Sequence, residues 1–87
     1  MYYILVYDVN VDRVQKMLKI MREYLNHVQN SVFEGELTDA QLAELKDRAR
    51  DLMDEDEDSI IIYRVGSKRW RNREVLGIEK HSTDNFI

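Results

Sequence analysis

The chain has no cysteine, no proline and only three glycines among its 87 residues. The missing cysteine excludes disulfides and thiolate metal sites. The missing proline, together with a charged content of 34%, suits a regular, compact domain. Long hydrophobic runs are absent too. No apolar stretch approaches the roughly 20 residues that a membrane helix needs. The first apolar run, Tyr2-Tyr3-Ile4-Leu5-Val6-Tyr7, meets Asp8 too early to form a secretory signal. A cytoplasmic protein with no membrane partner is the expectation. A chain of this length supports one small domain with a marginal core, so a partner surface is plausible on stability grounds alone.

The net charge of −4 argues mildly against a nucleic-acid partner, but its distribution matters more. Residues 1–33 carry four bases and three acids. Residues 34–58 carry three bases and eleven acids, and residues 59–87 carry six bases and three acids. The acidity sits in one segment, and the average hides a candidate polyanion surface.

Residues 2–7 have the length and composition of a buried strand, and they end at the lone carboxylate of Asp8. Open sheets place ligand chemistry at such carboxyl ends. Val14, Met17, Leu18, Met21, Tyr24 and Leu25 follow at helical spacing. Arg13, Lys16, Lys19 and Arg22 occupy other positions of that helix, as a solvated face or as contacts to a phosphate backbone. A hairpin is expected next, with strands near 26–29 and 32–37 and a turn at Asn30-Ser31. Gly35 marks a bulge or a close backbone approach. Thr38 and Gln41 form a capping box, and Leu42, Leu45, Ala49, Leu52 and Met53 make the stripe of a second helix. Asp54-Glu55-Asp56-Glu57-Asp58 reads as a solvated loop that ends it. The glycine and ligand spacing of a calcium loop are missing there. Ser59 to Val65 is a strand rich in β-branched residues, broken by Gly66. A short strand is expected at 74–79.

This order is the α+β, ferredoxin-like βαββαβ pattern with an extra C-terminal strand. Two helices would cover one face of an antiparallel sheet. The other face is expected to bury itself against a second copy, giving a homodimer through facing sheets whose tail strand pairs with the partner's edge. Residues 1–79 would form the domain and 80–87 a tail.

Asp8 is the candidate for metal chemistry, or else a cap on its strand or the next helix. Magnesium keeps most of its waters, so one or two carboxylates with phosphate oxygens suffice. Ser31 is a candidate phosphate or water contact, or a turn residue bonding its own backbone. Phe33 is a core residue or a stacking platform for a base. Arg64, Lys68, Arg69, Arg71 and Arg73 surround Trp70 with no intervening acid. They suit sequence-independent contact with a nucleic-acid backbone, or a solvated hairpin loop. His27 and His81 lack a spacing that suggests zinc.

Three strings carry a resemblance: Tyr7-Asp8-Val9, Val28-Gln29-Asn30-Ser31-Val32-Phe33-Glu34-Gly35-Glu36-Leu37-Thr38, and Asp58-Ser59-Ile60-Ile61-Ile62-Tyr63-Arg64-Val65. With them the chain resembles the CRISPR-associated protein two family from residue 2 to about 79. The resemblance implies a ferredoxin-fold homodimer in which Asp8 of both subunits holds Mg2+. It implies a metal-dependent endonuclease acting on single-stranded RNA or double-stranded DNA, with Asp8 as its catalytic residue. It also implies a central scaffold for spacer acquisition, held between dimers of the CRISPR-associated integrase in a heterohexameric complex. Ser31 and Phe33 match the family's box. His27 stands where many members have arginine, so a phosphate contact there would be weaker and pH-dependent. Arg13 stands where many have paired arginines. The nucleic-acid candidates are therefore Arg13, Lys16, His27, Ser31, Phe33, Arg64, Lys68, Arg69, Arg71 and Arg73. A purely non-catalytic scaffold and a related RNA-cutting toxin are the alternatives.

Overall fold

Alternation of buried and open positions in Tyr2–Asp8 makes β1, with Tyr3, Leu5 and Tyr7 turned to one face. The computed structural model describes residues 1–66 and 73–79. Asn10 caps α1 (Val11–Tyr24), its side chain accepting from the Asp12 N–H. Met17 and Met21 are the fully buried positions of α1, with Val14, Leu18, Ile20 and Tyr24 half-buried around them. A hairpin follows, β2 (Asn26–Gln29) and β3 (Val32–Glu36), turning at Asn30 with φ of 43°. Asparagine tolerates that left-handed conformation. The expected capping box starts α2 (Asp39–Leu52): the Thr38 hydroxyl accepts from the Gln41 N–H, and the Gln41 side chain accepts from the Thr38 N–H. Two further strands complete the fold, β4 (Ser59–Val65) and β5 (Arg73–Gly77).

The strands lie in the order β2-β3-β1-β4-β5, and every pairing is antiparallel. This is the expected α+β ferredoxin-like architecture with one added strand. Both helices pack on the face that carries Tyr3, Leu5, Tyr7, Phe33, Ile60 and Ile62. Among the described residues, no helix packs on the opposite face. Register places Val32, Val6, Ile61 and Val75 in one row across it. Ile61 is 4% exposed although it stands outside the helix-side core, because its row neighbours close over it.

Local details of the hairpin and the last strand follow from the register. The irregularity falls between His27 and Gln29 in β2, not at Gly35. Of the two readings of Gly35, the close approach is the one observed, since a Cβ there would stand 3.1 Å from Leu25 Cδ2. β5 pairs with β4 of its own chain, in register from Tyr63↔Arg73 to Ser59↔Gly77.

Candidate functional site

Asp8 is the last residue of β1 and lies on the helix-free face, two residues beyond Val6. Its pairing is one-sided. The β1–β3 register ends at Val6↔Val32, whereas the β1–β4 register continues to Asp8↔Ser59. One further bond holds this end to the hairpin, the Tyr7 N–H donating to the Ser31 carbonyl at 3.1 Å. Asp8 is exposed, and Ser59 beside it is 4% exposed. A carboxylate is thus carried at a rigid strand end, at the rim of an apolar sheet face.

Beneath it lies a buried ion pair. Asp58 is 0% exposed, and its carboxylate accepts four hydrogen bonds. Oδ1 accepts from the Asn10 N–H at 2.8 Å and from Arg13 Nη2 at 3.0 Å. Oδ2 accepts from Arg13 Nε at 2.6 Å and from the Asp54 N–H at 2.9 Å. The Arg13 guanidinium, opposed by burial and aided by the two backbone donors, holds the Asp58 carboxyl down at about 2. Glu57 stands beside the pair, accepting from Asn10 Nδ2 at 3.2 Å. The acidic run is therefore not a uniformly solvated loop. Its last member is an internal anchor, because only there do a guanidinium and two free amides converge.

The candidate residues do not gather into one cluster. Arg13 points into the ion pair with Asp58 rather than outward to a phosphate. Phe33 is 0% exposed and belongs to the core, so it offers no face to a base. Its ring stacks on Tyr7 at 5.8 Å and on His27 at 4.6 Å between centroids. Burial raises the Tyr7 hydroxyl above its ordinary value, with Arg22 opposing. His27 is exposed at the side of that stack, its Nε2 donating to the Asn30 carbonyl at 2.6 Å. His27 pairs with Phe33, so both lie on the helix-side face, opposite to Asp8. Ser31 is half-buried, and its carbonyl serves β1. Lys16 is exposed on α1. Arg64 pairs with Tyr3 and Arg73 with Tyr63, at the far end of β4 from Asp8. Five residues of strand separate Ser59 from Arg64, roughly 16 Å. Arg73 Nη2 donates to Glu79 Oε1 at 2.6 Å. Lys68, Arg69, Trp70 and Arg71, and the 80–87 tail with His81, lie outside the described residues.

Asn10, Asp58 and Ser59 complete the surroundings of Asp8, and residue-by-residue reading passed over them. Asn10 just before a helical period is a cap signal. The pairing of Asp58 with Arg13 spans 45 positions, and no local pattern reveals it.

Among the described residues, no group of three or more His, Cys, Asp and Glu side chains is placed to hold a metal ion. One chain offers a single exposed carboxylate at the end of β1. That donor chemistry fits magnesium, which takes one or two carboxylates and retains water, provided a second copy supplies the other carboxylate. No described helix is long and apolar enough to cross a membrane.

Fold and strand-end carboxylate define a small α+β protein with a five-stranded antiparallel sheet, two helices on one face and an acidic site at the rim of the other. Comparison makes the class specific: residues 1–73 match the family model described as CRISPR associated protein Cas2, and the chain belongs to that family. A CRISPR-associated endoribonuclease Cas2 of Methanocaldococcus jannaschii is 52% identical over 87 residues, 100% of this chain and 76% of that protein. Its counterpart in Pyrococcus furiosus is 48% identical, with 100% of both chains covered. The crystal structure of Streptococcus pyogenes Cas2 at pH 6.5 matches with a TM-score of 0.71 and 36% identity, covering 88% of this chain and 100% of that one.

Proposed function

We propose that the chain acts as a homodimeric CRISPR adaptation protein that hydrolyses phosphodiester bonds in nucleic acid with Mg2+ held by Asp8 of each copy. The observation that carries the reading is the exposed Asp8 carboxylate at the rim of the apolar row Val32, Val6, Ile61 and Val75. Burying that row against its symmetry mate would bring both strand ends to the dimer axis. Two carboxylates meeting there repel one another, which favours a cation between them. The bound ion supplies charge neutralisation at the phosphate and a more acidic coordinated water. Asp8 of each copy would hold the ion, and the apolar rows, if packed together, would exclude bulk water beside it. The curated relatives are named endoribonucleases, which favours RNA as the substrate to test first.

A second reading, a non-catalytic scaffold for an integrase complex, draws support from one geometric feature. The exposed Arg64 sits roughly 16 Å along the strand from Asp8. A duplex held by phosphate contacts at that end has no need of the metal site.

Nuclease assays on single-stranded RNA and duplex DNA, with and without Mg2+, separate the readings. Asp8→Ala is expected to lower metal-dependent cleavage by more than about a hundredfold, beyond the range typical of outer-shell residues. Cleavage unchanged by the substitution would overturn the metal reading. Spacer integration that survives Asp8→Ala would favour the scaffold role.

A further inference from the structure

The position of Asp8 depends on how the end of β1 is held. Asp8 ends its strand, and its ladder pairing is on the β4 side only. The final residue of a strand frays unless something beyond it is fixed. A cation shared by two chains, with one carboxylate from each, tolerates displacement of only about 0.5 Å. What fixes the backbone on the far side of Asp8 is Asp58.

The connection is short. Val9 is buried, and the next residue, Asn10, donates its N–H to Asp58 Oδ1 at 2.8 Å. Ser59, the residue after Asp58, is the cross-strand partner of Asp8. Asp58 thus adjoins Asp8 on two sides: its side chain binds the chain that leaves β1, and its neighbour Ser59 pairs with Asp8 in the sheet. The carboxylate is itself immobilised by Arg13 from the first turn of α1 and by the Asp54 N–H. Its backbone carbonyl accepts from the Ile78 N–H at 3.0 Å, which adds the end of β5 to the same node. The Asp58 side chain joins the β1–α1 connection, the loop at Asp54 and the first turn of α1, and its backbone carbonyl adds the end of β5.

We infer that Asp58 is a positioning residue for Asp8, holding the end of β1 in the one place from which its carboxylate shares a divalent cation with the second copy. This rests on the metal reading of Asp8 proposed above. Arg13 acts in the same unit by filling the fork of the Asp58 carboxylate, a planar bidentate contact that lysine cannot reproduce.

The test titrates Mn2+ alone into the purified dimer by calorimetry, beside single-stranded RNA cleavage at increasing Mg2+. The variants are Asp58→Asn, Arg13→Lys and Asp8→Ala, each checked for fold by circular dichroism and for dimer by light scattering. Asp58→Asn is close to isosteric but presents an NH2 where an acceptor is needed. It is expected to weaken Mn2+ binding about ten- to a hundredfold while the dimer persists. The Mg2+ needed for half-maximal cleavage should rise in parallel. Arg13→Lys leaves the Asn10 and Asp54 bonds in place and should shift both readings in the same direction by less. Should Asp58→Asn fail to fold, Arg13→Lys decides. Wild-type Mn2+ affinity in the folded variants, with Asp8→Ala unable to bind, would overturn the inference and leave the metal reading standing. Undiminished Mn2+ binding by Asp8→Ala would overturn both.

Discussion

Asp58 is the residue on which the local chemistry turns, and its energetics have a pH signature. Its carboxyl is held at about 2, below the ordinary 3.8. A group whose folded value is depressed adds stability at pH above its ordinary value and loses it as pH falls through the folded value. The contribution is about 2 kcal/mol, complete above about pH 5 and gone near pH 2. Urea unfolding of wild type and Asp58→Asn should therefore show a stability gap at pH 6 that narrows steadily toward pH 2. A gap independent of pH would mean that Arg13 does not favour the charged form. Asp58→Ala is harsher, because it leaves the guanidinium largely buried without its partner. Its cost is expected to be about 3 kcal/mol.

At the scale of elements, the ends explain more than the middles. β5 finishes at Gly77, which has φ of 81°. A Cβ there would lie 2.1 Å from the Asp58 carbonyl oxygen and 2.6 Å from Met53 Cε. Gly77→Ala is thus expected to cost about 2 kcal/mol or more by strain and collision, and thermal unfolding would measure it. The elements themselves were legible because their signals are local. The period of three and four in Val14, Met17, Leu18 and Met21 announces α1, the Thr38–Gln41 box announces the start of α2, and alternation announces β1. What sequence reading missed depends on distant partners. The irregularity falls in β2 between His27 and Gln29, and Gly35 is needed instead for the close approach of Leu25, 10 positions earlier in the chain. Phe33 is core rather than platform because Tyr7 and His27 sandwich it. Arg13 turns inward because Asp58 waits there, 45 residues later. Asp8 was legible as a candidate from its place alone, a lone acid closing an apolar strand.

Among the described residues, helices cover one face of the sheet and leave the other open, and the open face is the one proposed for the dimer. Its row Val32, Val6, Ile61 and Val75 offers four apolar positions in register. The next row runs Asn26, Glu34, Ile4, Tyr63 and Arg73. Val6→Asp would place a carboxylate in the middle of the apolar row. It is expected to shift the protein to monomer in light scattering at micromolar concentration, and to remove metal binding with it. A dimer that survives Val6→Asp would place the interface elsewhere.

The central claim is that two copies share one ion through Asp8, and stoichiometry tests it most directly. Calorimetric titration of Mn2+ into the wild-type dimer should saturate at one ion per two chains, with no binding to Asp8→Ala. One ion per chain, or saturation unaffected by the substitution, would contradict the account.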